Sequence, residues 1–241
     1  IIQYELIADG NKINGNRAEG VKLFLFLTFA GNGEDDLIIK TALSGVSIEG
    51  AEKNLNEEAP HWNFEQYLQG AITDWSKHLD KITIEADNQE LKRIFYTALY
   101  RSLLCPTLFS DVDGYYRGAD RERVIHSNSD NYTLFSLWDT FRAVHPLFTL
   151  IEQEKTGCFI NSLLSHYEQQ GRLPMWLLHG NDTGTMHGYH GVPVVADALL
   201  KGIGGFDREL AYQAVLETAN QNGKRFELYR TGLSNDQSCG F

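Results

Sequence analysis

The chain has 241 residues, 42% of them hydrophobic and 22% charged, with a formal net charge of −11 at pH 7. This composition is typical of a globular protein with one large domain or two smaller ones. The sequence has no run of lysines and arginines, which argues against a nucleic-acid partner because phosphate backbones are bound by clustered basic residues. The most apolar run, Val21 to Ala30, is shorter than the roughly 20 apolar residues of a membrane span, so no membrane span is predicted.

The first part of the chain has the composition of β-structure. Three segments rich in β-branched and aromatic residues predict strands: Ile1–Ile7, Val21–Ala30 and Leu37–Val46. Turn sequences with glycine lie between them. Helix-forming residues dominate from Glu49 onward, so this region is interpreted as the tail of a β domain.

Helical periodicity begins at about residue 62 and continues through the rest of the chain. Apolar residues at helical spacing predict the helices Trp62–Leu79, Leu134–Val144, Thr156–Gln170, Val192–Lys201 and Asp207–Asn220. They also predict a helix after Leu79 that Asp87 or Asn88 caps and that Pro106 ends. Gly171 and Gly202 follow two of them at positions typical of C-terminal caps, and Lys81–Glu85 predicts a short strand. Two long loops, 110–131 and 172–191, contain many polar and aromatic residues. The pattern predicts a helical toroid or bundle whose working face is made from loops.

The stretch Tyr132–His145 combines an indole, a carboxylate and a guanidinium in Trp138, Asp139 and Arg142. An aromatic ring packs on the C–H face of a sugar, and charged groups pair with its hydroxyls. The alternative is that Trp138 belongs to the core and Asp139 caps a helix. From these residues alone the alternative is the better interpretation.

The loop 172–191 contributes a second group of candidates. Asp182 is its best carboxylate to act beside Asp139, and glycoside hydrolysis generally uses two carboxylates. His187 and His190 have a spacing at which two histidines can share a metal ion, but Gly188 lies between them and single histidines more often make hydrogen bonds. Sequence gives no distance between the carboxylates, so the pair is equally compatible with sugar binding alone.

Asp111-Val-Asp113-Gly114 matches the start of an EF-hand loop. The remaining oxygen ligands and the terminal glutamate of such a loop are missing. A turn stabilised by aspartate side chains is therefore the better interpretation.

Motifs spread over residues 45 to 220 resemble the glycoside hydrolase family 92 α-mannosidases, and several match at once in the same order. They are Ile94 to Leu104, Asp111 to Gly118, Tyr132 to Arg142, Gly171 to Trp176 and Gly188 to Ala198.

The resemblance implies that residues 1–60 are the end of an N-terminal β-sandwich domain with its linker, and that 61–241 are the first half of an (α/α)6 catalytic toroid. It implies calcium-dependent, inverting removal of terminal α-linked mannose from mannose-containing glycans, by a secreted, periplasmic or cell-surface protein. The family's Trp-Asp pair lines the terminal-mannose subsite and falls on Trp138 and Asp139. Asp182, Arg142 and His179 are expected to line or support the same pocket.

The family's general acid, base and calcium-ligand motifs are expected further along than Phe241, so no catalytic or metal-ligating residue is assigned within this chain. The chain begins without Met and ends on Cys239-Gly240-Phe241, and we expect an internal fragment that is inactive alone. Where the family commonly has Asn-Glu-Thr, this sequence has the shorter carboxylate of Asp182. Two alternatives stay open: a noncatalytic carbohydrate-binding protein on the same fold, and a helical-toroid enzyme acting on another glycan.

Overall fold

The computed structural model describes residues 3–31, 37–186 and 188–220. The chain divides into two compact units, Ile1–Lys40 and Thr41–Phe241. The described part is mainly helical and carries short strands, as the sequence predicts. The predicted domain boundary after residue 60 and the predicted sandwich and toroid stay predictions.

The first unit is a three-stranded antiparallel sheet in the order β2-β1-β3. Its strands are β1 (Gln3–Ala8), β2 (Asn11–Ile13) and β3 (Leu23–Thr28). Asp9 and Gly10 join the first two strands with φ angles of 49° and 86°, and a two-residue turn with positive φ at both positions matches the twist of a hairpin. The first two predicted strands are therefore confirmed.

The third predicted strand is wrong, because residues 37–46 contain no strand. Hydrogen bonds that involve side chains hold this segment instead. Asn54 Nδ2 donates to the Leu43 carbonyl at 2.9 Å, and Ser44 Oγ donates to Asp111 Oδ2 at 2.6 Å. A composition rich in β-branched residues yields a strand only where a neighbouring strand pairs with it.

The second unit consists of helices linked by short strands. The helices are α1 (Ile48–Glu58), α2 (Phe64–Leu79), α3 (Gln89–Ser102), α4 (Leu137–Thr140), α5 (Val144–Ile151), α6 (Gln153–Gln170), α7 (Gly191–Leu200) and α8 (Arg208–Asn220). The strands are β4 (Thr107–Leu108), β5 (Tyr115–Arg117), β6 (Val124–His126), β7 (Tyr132–Thr133), β8 (Phe135–Ser136), β9 (Trp176–Leu178) and β10 (Asn181–Asp182). Asn88 caps α3 as predicted, and Gly171 ends α6 in the left-handed conformation at φ 77°.

The hydrophobic core of the second unit is built from residues between 132 and 214. Helix α6 lies at its centre, where Ile160 and Leu163 are completely buried, and Val195 of α7 and Ala211 of α8 pack in the same cluster. In the described structure α2 buries no residue completely and α3 buries only Leu99. The best-packed part of the described chain therefore lies on both sides of the loop 172–191.

Two further element predictions are wrong. Residues 81–85 form no strand, because Ile82 turns back onto the Leu79 carbonyl and its own carbonyl accepts from Tyr96. The predicted helix over residues 134–144 is divided into β8, α4 and the start of α5. Leu134 has a φ of 63°, a left-handed conformation that an α-helix excludes, and Ser136 pairs across the sheet with Trp176.

Glu152, between α5 and α6, ties α2 to the core. It is only 4% exposed, and its Oε1 lies 2.6 Å from His78 Nδ1 and 2.8 Å from Lys81 Nζ. Burial opposes its ionisation, but hydrogen bonds from Lys81 and His78 together hold its pKa below the ordinary 4.5. The carboxylate thus remains charged in a nearly closed site.

We expect Glu152→Gln to flatten the acid side of the stability profile. Because the pKa is lower in the folded state, the ionised carboxylate stabilises the fold fully above about pH 4.5, and this stabilisation is lost as the pH falls through the folded-state pKa. Melting temperatures between about pH 3 and about pH 7 measure the effect. The exposed Glu90→Gln, which breaks a pair with Arg93, is the control; an unchanged profile in Glu152→Gln would contradict the expectation.

Candidate functional site

Trp138 and Asp139 lie on α4, directly after a short strand. The three strands β8, β9 and β10 form one antiparallel sheet in which β9 is central. The left-handed Leu134 turns the chain into β8, and the helix begins one residue after Ser136. This abrupt strand-to-helix connection places the two predicted sugar-binding residues at the end of the sheet.

A chain of hydrogen bonds orients the Asp139 carboxylate. Trp176 Nε1 donates to Ser136 Oγ, and Ser136 Oγ donates to Asp139 Oδ2 at 2.6 Å. Successive donors polarise one another, which strengthens each bond in such a chain. Asp139 is exposed, and Oδ1 has no hydrogen-bond partner among the residues that the structure describes. One carboxylate oxygen is fixed by the protein and the other is open to a ligand.

Trp138 belongs to an aromatic cluster that closes the other side of α4. The His190 imidazole stacks on the indole with centroids 5.1 Å apart and planes 25° apart. Phe141 meets the same imidazole edge-on at 4.3 Å, and the Arg142 guanidinium lies 5.0 Å from the Phe141 centroid. Burial, and then the charge of Arg142, lower the pKa of His190 below its ordinary 6.5. The structure thus brings Trp138 and Arg142 together around His190.

Sequence reasoning missed the ring stacking of His190. It weighed a metal site shared with His187, a residue outside the described structure, against an ordinary hydrogen bond. The place of His190 just before α7 was readable from the start of the apolar pattern at residue 192. Its contact with α4, about fifty residues earlier in the chain, was not.

Asp182 has a different environment from the one predicted. Its side chain is completely buried and faces Arg172, whose Nη2 donates to Oδ2 at 3.0 Å. Its carboxylate also accepts the backbone N–H groups of Met175, Trp176 and Gly184 at 3.0 to 3.3 Å. These bonds hold the loop that carries the Trp176 indole against Ser136. The predicted contact of Asp182 with a sugar stays a prediction.

His179 lies in the turn of the β9-β10 hairpin. His179 and Gly180 have φ angles of 48° and 77°, and Leu178 pairs with Asn181 across the turn. The exposed imidazole lines a groove of about 1060 Å³ with Phe109 and Arg117, and the described lining of this groove does not include Trp138 or Asp139. The supporting role predicted for His179 in the sugar pocket also stays a prediction.

A second, smaller pocket of about 220 Å³ adjoins the Asp139 carboxylate through Ser136 and Trp176. Most of its wall is apolar, including Phe135, and the buried His145 faces it with a pKa lowered to about 4 by burial. A neutral imidazole and apolar carbons offer few partners to hydroxyls. The polar contacts available to a sugar are therefore concentrated at the rim, at Ser136 and Asp139.

The described residues contain no cluster of acidic, histidine or cysteine side chains for the calcium ion that the resemblance implies. Across residues 3–31, 37–186 and 188–220, no group of three or more histidine, cysteine, aspartate or glutamate side chains is arranged to hold a metal ion. Asp111, in the EF-hand-like turn, is buried and accepts hydrogen bonds from Ser44 and Asn54. Within the same described ranges, no helix is both long and apolar enough to cross a membrane.

An oriented carboxylate beside a stacked indole is an arrangement that carbohydrate-acting proteins use to hold a pyranose. The sequence profile of the glycosyl hydrolase family 92 catalytic domain matches residues 50–241. The chain belongs to this family. A search of curated proteins finds no match.

Solved structures of mannosidases are similar to the chain. The family GH92 α-mannosidase BT3965 from Bacteroides thetaiotaomicron superposes with a TM-score of 0.75 at 34% identity, over 94% of this chain and 32% of that one. The family GH92 inverting mannosidase BT2199 from Bacteroides thetaiotaomicron VPI-5482 gives 0.83 at 29% identity, over 96% and 33%. Another structure of BT3965 is a complex with mannoimidazole. The chain thus spans about a third of the length of these structures.

Proposed function

We propose that the complete protein carrying this chain is a glycosidase that removes terminal α-linked mannose from glycans, and that this chain supplies part of the terminal-mannose subsite. Family membership and the similarity to mannosidase structures support the class of reaction. The observation that carries the assignment is the Asp139 carboxylate, with Oδ2 held by Ser136 and Oδ1 open, next to the Trp138 indole.

The two side chains would divide the recognition of the sugar between them. The indole of Trp138 packs on the C–H face of the pyranose, while Asp139 accepts hydrogen bonds from adjacent hydroxyls. Arg142 follows one turn later as a donor for the same rim of hydroxyls. This arrangement can position a sugar ring. Among the described residues, Asp139 has no second exposed carboxylate as a partner, because Asp182 is buried against Arg172.

The hydrolytic step is assigned to residues outside this chain. Inverting hydrolysis needs one carboxylic acid to protonate the leaving oxygen and a second carboxylate to activate water on the opposite face. We propose that both come from elsewhere in the complete protein, that the chain alone is inactive, and that the helical part forms half of an (α/α)6 toroid after a β-sandwich.

Calcium dependence is also part of the proposal, and family resemblance is its support. The described residues contain no group of three or more histidine, cysteine, aspartate or glutamate side chains that could hold the ion, so its ligands are proposed to come from elsewhere in the complete protein. Activity of the complete protein before and after chelation, with calcium added back, tests the dependence: full activity in the chelated protein would contradict it.

Hydrolysis by the complete protein tests the proposed function. The protein is given a panel of α- and β-linked glycosides. NMR identifies the sugar that is released and the anomer that forms first. We expect mannose, released from α-linkages as the β-anomer. Mannose binding without release would favour a noncatalytic carbohydrate-binding protein, and release of another sugar would favour an enzyme acting on another glycan.

Ser136→Ala is expected to weaken mannose binding without unfolding the protein. The substitution removes the donor to Asp139 Oδ2 and the acceptor of Trp176 Nε1, so the carboxylate loses its fixed orientation. Hydrogen bonds to charged groups contribute about 1.5–3 kcal/mol, and we expect KM for a mannoside to rise about 10-fold. Ser102→Ala, at a partly exposed serine that donates to Ala98 O of its own helix, is the control. Equal KM values for both variants would contradict this role.

A further inference from the structure

The apolar pocket of about 220 Å³ beside Ser136 has walls from five parts of this chain. Strands β8 and β9, helices α4 and α5 and the segment between α3 and β4 all contribute to it. Most of the wall is apolar, and Phe135, Phe148 and Leu177 are each no more than 3% exposed. An apolar cavity of about 150 Å³ is large enough to bind benzene. The pocket therefore has room for one aromatic ring.

One buried polar side chain in this wall, His145, has no hydrogen-bond partner among the described residues. It is 5% exposed, and neither ring nitrogen is bonded to any of them. Its recorded contacts are aromatic: the Phe135 ring lies nearly parallel to it at 6.1 Å and the Phe148 ring edge-on at 5.7 Å. Burial lowers its pKa to about 4, so the ring is neutral at pH 7. A neutral imidazole offers one N–H donor and one nitrogen acceptor.

The two hydroxyl groups and the indole N–H of the same wall are already engaged. Ser136 Oγ donates to Asp139 and accepts from Trp176 Nε1, and Thr140 Oγ1 donates to the Ser136 carbonyl at 3.0 Å. Leaving a buried donor or acceptor unpaired is unfavourable, and the His145 imidazole is in this position. The pocket is therefore suited to an aromatic ring that carries a single hydrogen-bonding group for His145.

We propose that this pocket is a binding site for a small aromatic molecule with one hydroxyl group, whose ring packs against Phe135 and Phe148 and whose hydroxyl pairs with His145. A phenolic hydroxyl both donates and accepts, so it can pair with either nitrogen of the neutral imidazole. Cys105 also lines the pocket and is exposed, so its thiol marks the open side. The proposal goes beyond the proposed function and does not depend on it.

Phenol and toluene test the hydrogen bond to His145, because the two molecules have nearly the same size and differ in one hydroxyl. Their Kd values are measured by calorimetry with the complete protein and with its His145→Leu variant. Leucine is apolar and similar in size to histidine, so the phenol hydroxyl would lose its partner in a filled wall. We expect the ratio of the toluene Kd to the phenol Kd to fall at least about 5-fold in the variant. An unchanged ratio, or no binding of phenol to the wild type, would overturn the proposal.

His78→Ala is the matched control for His145→Leu. His78 lines a neighbouring pocket of about 250 Å³ that shares Cys105 and Phe148 with the proposed site, and its Nδ1 lies 2.6 Å from Glu152 Oε1. Its replacement should leave the ratio of the two Kd values unchanged. An equal fall of the ratio in both variants would place the ligand outside the proposed pocket and refute the role of His145.

Alkylation of Cys105 locates the ligand without any substitution. The complete protein reacts with iodoacetamide, and peptide mass spectrometry follows each cysteine separately. Phenol at about ten times its Kd should slow the reaction of Cys105 at least about 3-fold. The reaction of Cys158, which the lining of this pocket does not include, should be unchanged. A Cys105 that does not react, or that reacts equally fast with phenol present, would overturn the proposal even if His145→Leu does not fold.

Discussion

Replacement of Asp182 by alanine is expected to lower the free energy of unfolding by about 3–5 kcal/mol, the usual effect of removing one partner of a buried ion pair. The Arg172 guanidinium would remain in a site where the pair is 7% and 0% exposed. The N–H groups of Met175, Trp176 and Gly184 would lose their acceptor as well. Urea denaturation followed by tryptophan fluorescence measures the change.

Asp197→Ala is the matched control for Asp182→Ala. Asp197 also pairs with a cation, Lys201 at 2.7 Å, but its side chain is 33% exposed and the two residues are one helical turn apart. Such pairs contribute about 0.3–0.5 kcal/mol. If the two aspartates proved equally tolerant, the buried network around Asp182 would not hold the loop as described.

Asp139→Ala is expected to lower kcat/KM of the complete protein for an α-mannoside by about 100-fold or more. Loss of the carboxylate would remove the two charge-assisted hydrogen bonds that we propose it accepts from the sugar, each of about 1.5–3 kcal/mol, and we expect both to persist into the transition state. Asp139 is exposed and bonds only Ser136 among the described residues, so the melting temperature should change by no more than about 2 °C. Steady-state kinetics and a thermal melt together distinguish a lost ligand contact from a lost fold.

Asp74→Asn is a suitable comparison for the Asp139 variant. Asp74 is an exposed carboxylate on α2 whose partner is Lys77 at 2.8 Å. Its replacement should leave both kcat and KM unchanged. An Asp139 variant that retains wild-type kcat/KM would remove the main support for the proposed subsite.

The parts of the fold that could be predicted are those fixed by local periodicity. Helices α2, α3, α6, α7 and α8 lie within a few residues of their predicted bounds, because their apolar stripes repeat every three or four residues. The segment 134–144 has a similar stripe, but the left-handed Leu134 and the pairing of Ser136 with Trp176 interrupt it. A bond to a strand forty residues away leaves no trace in local periodicity.

The candidate site shows the same division between local and distant information. The nearness of Trp138, Asp139 and Arg142 followed from their spacing in the sequence. Their environment did not follow from it. Ser136 was not recognised as the partner of Asp139, and ring stacking was not considered for His190. Both features depend on contacts with the loop 172–191. Asp182 was predicted to line the sugar pocket, but a carboxylate that accepts from several protein donors cannot be distinguished in sequence from one that faces a ligand.

Trp176 links these observations, since its backbone N–H is bound by Asp182 and its indole N–H by Ser136. For protein engineering, the segment from Arg172 to Gly184 should therefore be treated as one unit in which certain residues are kept unchanged. Libraries that aim to change which glycan is accepted can vary its exposed positions, such as Thr183, while Arg172, Trp176 and Asp182 are kept together. Replacing only one of these three residues would change the orientation of the Asp139 carboxylate on α4, even if the replacement made no new contact with a sugar.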